Sequence, residues 1–186
     1  DKGAEMGRFL VGSTAIVLST RQRRGMSRWM NPSVAEPVAR QSRVMTLFVP
    51  RRTVGFVSLD TGAVRLEHVV VPVDRVPDPQ QAMNAAATLA GVLGLAKLPI
   101  TLLHVGAEED APWVEVPDHD GWVIERRSLA GDVVDQILRV SEGMDADLIA
   151  MATAGRDGFL DALRGSTTEQ VVRQARCPVL AIPAGA

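Results

Sequence analysis

The sequence has a single cysteine, no tyrosine and only 4% aromatic residues in a chain of 186. With one thiol, Cys177, an internal disulfide framework is excluded, and the cytoplasm is the expected compartment. Cys177 precedes Pro178 and an apolar segment, with no base beside it, which is typical of a small buried hydrophobic residue rather than a reactive thiol.

Long apolar runs and a large excess of charge are absent too. No uninterrupted apolar segment reaches the roughly 18 residues of a membrane-spanning helix, and residues 1–12 lack the apolar core of a signal peptide. The formal net charge of −2 argues against a broad nucleic-acid surface. We therefore expect neither a membrane nor a nucleic acid as partner, and the length suits one domain or two small ones.

Signatures of catalysis are missing as well. The sequence contains no HExxH, CxxC or Walker lysine motif and no recognisable nucleophile–base pair. Asp118-His119-Asp120 offers metal-binding groups, but adjacent loop residues seldom converge on one ion, so we expect no metal site. His104 lies in an apolar segment and is interpreted as a packed core residue, and Trp113 and Trp122 as lid or core residues.

The sequence does contain an internal repeat. A shift of 133 residues aligns Ile16–Pro50 with Ile149–Pro183 without a gap, and 12 of the 35 positions are identical. This spacing is too long for a solenoid and indicates two related domains in tandem. We expect residues 1–50 to be the C-terminal remnant of a first copy whose front half is missing from this sequence. A hairpin linker, residues 51–66, then leads to a complete domain at 67–186.

Within the complete domain, apolar β-branched runs alternate with segments of helical periodicity. This alternation predicts an α/β fold with a doubly wound, parallel, five-stranded, Rossmann-like sheet. The acidic, proline-containing residues 106–121 are predicted to form a loop in place of a crossover helix. The predicted strands are His68–Val73, Ile100–Val105, Trp122–Arg127, Asp147–Ala152 and Pro178–Ile182, and the predicted helices are Gln81–Leu95, Gly131–Gly143 and Thr167–Ala175.

A ligand site is expected beyond the carboxyl ends of these strands, at the point where the strand order reverses. Asp74, Val105 and residues 152–155 fall there. Ala152-Thr153-Ala154-Gly155 is followed by nine residues and then by Gly165-Ser166-Thr167. Glycines allow the backbone to approach a ligand closely, and free amides at a helix start favour a phosphate.

Local explanations remain open for the same residues. Ser166 and Glu169 also fit a capping box at a helix start, Gly165 fits a plain turn, and Asp74 could cap the segment that follows it.

Four segments in chain order resemble the universal stress protein family: PVD at 72–74, LHV at 103–105, DLIAMATAGRDG at 147–158 and GSTTEQVVRQARCPVLAIP at 165–183. The resemblance covers residues 67–186, and residues 16–50 resemble the tail of a second, degenerate domain of this kind. The family's nucleotide-binding branch carries G-x-x-G, nine residues, then G-S/T. Gly155, Gly165 and Ser166 match this pattern, whereas Ala152 replaces its first glycine.

The resemblance implies an adenine nucleotide alpha-hydrolase-like fold and an ATP-binding module of the stress response, with or without Mg²⁺, and with at most slow ATP hydrolysis. Asp74 would receive the adenine or ribose edge, and Val105 would offer backbone groups to the adenine. The implied residues are, around the base and ribose, Pro72, Val73, Asp74, Val105, Met151 and Ala152, and, around the phosphates, Gly155, Arg156, Gly165, Ser166 and Thr167.

The alternative is an interaction domain of the same family that dimerises without binding nucleotide. The first copy is expected not to bind nucleotide, because Gln22 and Pro32 stand where the loop needs glycines. The resemblance also implies a homodimer or a pseudo-dimer through the fifth strands, and Thr46–Pro50 and Val179–Pro183 are the candidate edges.

Overall fold

The computed structural model describes residues 15–20, 44–50, 53, 55–58, 60–119, 121–154 and 166–183. In these residues seven strands form one sheet, in the order β1-β2-β7-β6-β3-β4-β5, together with three α-helices. The strands are β1 (Ile16–Thr20), β2 (Thr46–Pro50), β3 (Val69–Pro72), β4 (Leu98–Val105), β5 (Trp122–Leu129), β6 (Leu148–Thr153) and β7 (Val179–Pro183), and the helices are α1 (Gln80–Val92), α2 (Val133–Gly143) and α3 (Thr167–Gln174).

Strands β3 to β7 form the predicted parallel, doubly wound arrangement. The β3–β4, β3–β6, β4–β5 and β6–β7 ladders are all parallel, and the strand order reverses at β3, which lies between β4 and β6. Val69, Val70 and Val71 are completely buried, as expected for a strand covered by helices on both faces. The α/β fold class is therefore confirmed.

Most elements differ from their predicted bounds by one to three residues, and at two helix ends the reason is local. Helix α1 ends at Val92 rather than Leu95, and Gly94 just beyond it has φ +65°, a left-handed conformation that favours glycine. Helix α2 begins two residues later than predicted. Asp132 is its N-cap, and the side chain of Asp132 accepts a hydrogen bond of 3.0 Å from the backbone N–H of Asp135.

The sheet has seven strands rather than five because β1 and β2 extend it beyond β7. Strand β2 pairs with β7 in an antiparallel ladder, and β1 pairs with β2 in a parallel one. The two strands named as candidate pairing edges are thus paired within one chain. Phe48 of β2 is only 2% exposed and packs in the same core cluster as Val179 of β7.

The segment between β2 and β3 contains a short turn. Ser58 N–H donates to the carbonyl of Ala63 at 2.8 Å, Arg65 N–H donates to that of Phe56 at 2.7 Å, and Gly62 has φ +69°. The predicted hairpin is present as a single antiparallel bridge between Val57 and Val64. The division of the chain at residues 50 and 66 stays a prediction.

The core lies in two layers, one on each face of the sheet. Met83 and Ala86 of α1 pack with Ile100 on one face, and Ile137 of α2 and Val171 of α3 belong to the cluster on the other. Cys177 is buried in this second layer, as expected, and burial raises the pKa of its thiol to about 12. None of the helices described is long and apolar enough to cross a membrane.

A polar cluster joins β3, β4 and β6 at the amino ends of the strands. One carboxylate oxygen of Asp147 accepts backbone hydrogen bonds from Glu67 and His68, at 2.6 and 3.1 Å. The Nε2 atom of His68 lies 2.9 Å from the hydroxyl oxygen of Thr101. Burial lowers the pKa of His68, outweighing the carboxylates of Glu125 and Asp147, which act in the opposite direction.

This lowered pKa predicts a pH dependence of stability. Because folded His68 binds a proton less readily than the unfolded chain, stability is expected to fall as the pH drops below about 6.5, the ordinary histidine pKa. His68→Gln should make the decline shallower between about pH 7 and pH 5.5, above the range where carboxylates titrate. Urea unfolding at a series of pH values measures this; equal slopes in both proteins would contradict it.

Candidate functional site

A small cavity lies at the carboxyl ends of β3, β4 and β6, where the strand order reverses. Its volume is about 110 Å³. Seven of the eleven site residues named from the sequence line it: Pro72, Val73, Asp74, Val105, Met151, Ala152 and Thr167. Its other lining residues are Val76, Pro77, Leu103, Val133 and Ile137.

Strand geometry explains why residues from three strands meet here. Parallel strands end at the same edge of the sheet, and alternate side chains of a strand point to the same face. Leu103 and Val105 of β4 therefore both face the cavity. The backbone N–H of Val73 donates to the carbonyl of Leu103 at 2.9 Å, which continues the β3–β4 pairing to the cavity wall.

Helix α2 supplies a further wall of the cavity. Val133 and Ile137 lie one helical turn apart, so both face the sheet at this point. The apolar periodicity of α2 was visible in the sequence, but the place where the helix meets the strand ends depends on the crossover connections. The cavity is consequently apolar on most sides.

Asp74 provides a carboxylate at the rim. Its side chain is exposed, and one oxygen accepts a hydrogen bond of 2.7 Å from the backbone N–H of Arg75. The side chain of Arg75 is directed instead to Asp110, with a distance of 2.9 Å between its terminal nitrogen and the carboxylate. Asp74 thus makes a local backbone contact, in line with the alternative role of capping the segment that follows it. It also lies beside the cavity.

The start of α3 forms the remaining side. Ser166 is the N-cap, and its hydroxyl oxygen accepts a hydrogen bond of 3.1 Å from the backbone N–H of Glu169. Ser166 is therefore the N-cap of the helix, which is one of the two contacts of the predicted capping box. Thr167, the first helical residue, lines the cavity, so the amino end of the helix, with its partial positive charge, is adjacent to it.

Several predicted residues lie outside the described part of the chain. These are Gly155, Arg156 and Gly165 of the expected phosphate loop, and Gln22 and Pro32 of the first copy.

The structure also shows where the histidines and tryptophans discussed from the sequence lie. Among the described residues, no group of three or more His, Cys, Asp or Glu side chains is arranged to hold a metal ion. His119 stacks on Trp122, with 4.7 Å between ring centroids. His104 is 5% exposed, which confirms it as a packed residue, and Trp122 packs against the core, whereas Trp113 is 80% exposed.

Comparison with known proteins connects this fold to a family. Residues 118–183 match the model of the universal stress protein family. A universal stress protein of Methanocaldococcus jannaschii is 39% identical over 62 residues, which cover 33% of this chain and 36% of that protein. A universal stress protein of Mycobacterium tuberculosis is 27% identical over 141 residues, which cover 61% of this chain and 46% of that protein. The chain thus spans less than half the length of these relatives.

One solved structure in particular agrees with the fold. A universal stress protein of Archaeoglobus fulgidus matches with a TM-score of 0.63 at 21% identity, covering 92% of this chain and 62% of that one. Universal stress proteins solved with cAMP and, from Arabidopsis thaliana, with AMP each cover 64% of this chain, with TM-scores of 0.46 and 0.45. The comparisons thus relate residues 118–183 of this chain to the universal stress protein family.

Proposed function

We propose that the chain is an adenine-nucleotide-binding module of the stress response, and that the cavity at the ends of β3, β4 and β6 receives the base of ATP. One observation carries the proposal. Seven residues chosen from the sequence pattern line a single cavity, although they are spread from Pro72 to Thr167. The binding of cAMP and AMP by other universal stress proteins agrees with it but is too distant to place a ligand here.

The chemistry of the cavity suits a purine. Its volume of about 110 Å³ corresponds to roughly four water molecules, which is enough for one ring system but not for a whole nucleotide. The apolar side chains of Val105 and Met151 would cover the ring faces. The Asp74 carboxylate accepts hydrogen bonds only, and it would pair with an amino group of the base or a hydroxyl of the ribose.

The phosphates would then extend toward the amino end of α3. The first turn of a helix has backbone N–H groups without intrahelical partners, and its dipole favours an anion. Ser166 would act by fixing the start of this helix, since its hydroxyl oxygen already accepts from the backbone N–H of Glu169. Thr167 itself lines the cavity. Any Mg²⁺ would enter with the phosphates.

The alternative function is an interaction domain without nucleotide. Two observations favour it: Ala152 stands where the nucleotide-binding pattern has glycine, and the cavity is smaller than the roughly 300 Å³ at which ligand pockets usually begin. Thermal unfolding of the protein with and without adenine nucleotides distinguishes the two functions.

We also propose that residues 1–50 are the tail of a first, degenerate domain in a tandem chain. The strand registers support it. Ile16 pairs with Thr46, and Ile149, its counterpart after a shift of 133 residues, pairs with Val179, the counterpart of Thr46. All five pairs of the β1–β2 ladder correspond in this way to the β6–β7 ladder.

The contact between β2 and β7 supports the same origin. Leu47 pairs with Leu180, and these two residues are equivalent in the repeat. The antiparallel ladder is therefore centred on a local two-fold axis, which is the arrangement of two related domains joined through their last strands.

ATP with Mg²⁺ is expected to stabilise the protein, and Val105→Phe is expected to abolish this effect. At a concentration about 100 times the dissociation constant, a bound ligand adds about 2.7 kcal/mol, or roughly 5–10 °C in Tm for a chain of this size. The side chain of Val105 faces the cavity, so a phenyl ring at position 105 would occupy it. Thermal unfolding with and without ATP measures the shift.

Ala63→Phe is the control, because Ala63 is exposed in the turn between β2 and β3. It should keep the full shift. Failure of ATP, ADP, AMP and cAMP to shift the wild-type Tm would support the interaction-domain alternative. An unchanged shift in Val105→Phe would place the nucleotide elsewhere on the protein.

A further inference from the structure

Strand β1 lies at one end of the sheet, and among the residues described no strand pairs with the side that faces away from β2. The backbone N–H of Ile16 donates to the carbonyl of Met45 at 3.0 Å, on the β2 side. Successive residues of a strand direct their backbone groups to opposite sides, so the N–H and carbonyl of Val17 point away from β2. This side of β1, the open edge, can therefore accept a further strand.

The internal repeat indicates what kind of strand fits the open edge. A shift of 133 residues carries β1 onto β6, and the N–H of Ile149, the counterpart of Ile16, donates to the carbonyl of Pro178, the counterpart of Met45, also at 3.0 Å. The other side of β6 is occupied by β3, which runs parallel to it with Val70 opposite Ile149. The open edge of β1 thus corresponds to the side of β6 on which β3 lies.

Side-chain exposure on β1 agrees with this correspondence. Val17 is 43% exposed, whereas its counterpart Ala150 is completely buried. Ala150 belongs to the core cluster that contains Met83 of α1, the helix that follows β3 in the chain. The exposed face of β1 therefore corresponds to a face that a helix covers in the complete domain. Leu18, on the opposite face of β1, already packs against the second core cluster.

We propose that the open edge of β1 and the exposed face around Val17 dock a strand–helix unit of a second polypeptide. Its strand has the chemistry of β3, an apolar β-branched run, and it adds parallel to β1, so that the backbone groups of Val17 gain partners. Its helix has the chemistry of α1, whose buried side is formed by small residues such as Ala82, Ala86 and Ala90, and it covers Val17. The inference rests on the proposal that residues 1–50 are the tail of a first domain.

The test titrates the full chain with a synthetic peptide of residues 67–95, which contains the sequences of β3 and α1. We expect saturable binding with a dissociation constant of about 0.1 mM, because the peptide must become ordered as it binds. Hydrogen exchange followed by NMR should show the N–H of Val17 exchanging about tenfold more slowly, or slower still, when the peptide is bound. The N–H of Ile16, already bonded to Met45, should change little.

Val17→Pro removes the N–H that the docked strand needs and should weaken peptide binding about tenfold or more. Proline is tolerated in edge strands where the N–H faces solvent, so the β1–β2 ladder should persist, and slow exchange of the Ile16 N–H checks this. Val17→Ile is the matched control. It keeps both the N–H and an apolar β-branched side chain, and the affinity for the peptide should stay within about twofold of the wild type.

The docking proposal is overturned if the peptide shows no saturation by about 1 mM, ten times the expected constant, or if Val17→Pro binds it as well as the wild type. It is also overturned if sedimentation shows that the free chain dimerises and this alone protects Val17, since a second copy would then occupy the open edge. A protected Ile16 without peptide binding contradicts docking alone. Fast exchange of Ile16 in the free chain would instead contradict the β1–β2 ladder, and with it the support for a first-domain tail.

Discussion

Gly121→Ala is expected to lower the free energy of unfolding by about 3 kcal/mol or more. A Cβ at this position would collide with the backbone carbonyl of Ala96 and lie 3.4 Å from Cα of Lys97. The carbonyl of Gly121 also accepts a hydrogen bond of 3.2 Å from the N–H of Leu98. The backbone therefore cannot move away without disturbing the start of the β4–β5 ladder.

Gly91→Ala provides the comparison within the same chain. Gly91 is exposed near the end of α1, and a Cβ there would meet nothing within 4 Å. Alanine should stabilise this helix by about 0.5–1 kcal/mol. Chemical denaturation followed by circular dichroism compares the two variants. A Gly121→Ala protein as stable as the wild type would show that Gly121 and Ala96 are not in contact.

Phe48→Ala is the second variant for which a large loss is expected, about 3–5 kcal/mol. Phe48 belongs to β2, yet its ring is 2% exposed and is part of the core cluster that contains Val70 and Ile149. Its removal would leave a cavity inside the domain rather than at a detachable edge. A single cooperative unfolding transition, shifted to lower denaturant, is the expected observation.

Val17→Ala is the control for this experiment, because Val17 of β1 is 43% exposed. It should cost less than about 1 kcal/mol. If Phe48→Ala instead loosened only the amino-terminal part, a separate early transition would appear and the main transition would not move. That result would contradict the packing of β2 into the common core.

The sequence predicted the helices and strands of residues 67–186 closely because the local spacing of apolar residues indicates which positions are buried. Val69–Pro72 is an apolar run suited to a strand buried on both faces, and α2 repeats apolar residues at helical spacing. The ends of α1 and α2 were less accurate, since Gly94 and Asp132 act through backbone conformation and a side-chain cap.

The candidate site was predicted less completely, for a physical reason. Strand ends and turn residues can be recognised locally, which is why Asp74, Val105 and Ala152 were named. The contribution of Val133 and Ile137 depends on where a crossover helix packs, and no local pattern encodes this. For Ser166 the sequence allowed both a cap and a phosphate contact, and the hydrogen bond from Glu169 identifies the cap.

His104 illustrates the same limit. Its position in an apolar strand correctly predicted burial. The partner of one ring nitrogen and the lack of a described partner for the other depend on Val73 and on the loop after β4, which are brought to His104 only by the tertiary fold.

The β2–β7 ladder also determines how pairing through β7 responds to dilution. If two separate chains shared this ladder, their association would weaken as the protein concentration fell. Here both strands belong to one chain, so the pairing is unimolecular and independent of concentration. A second copy could add to β7 only by displacing β2, which already occupies that edge.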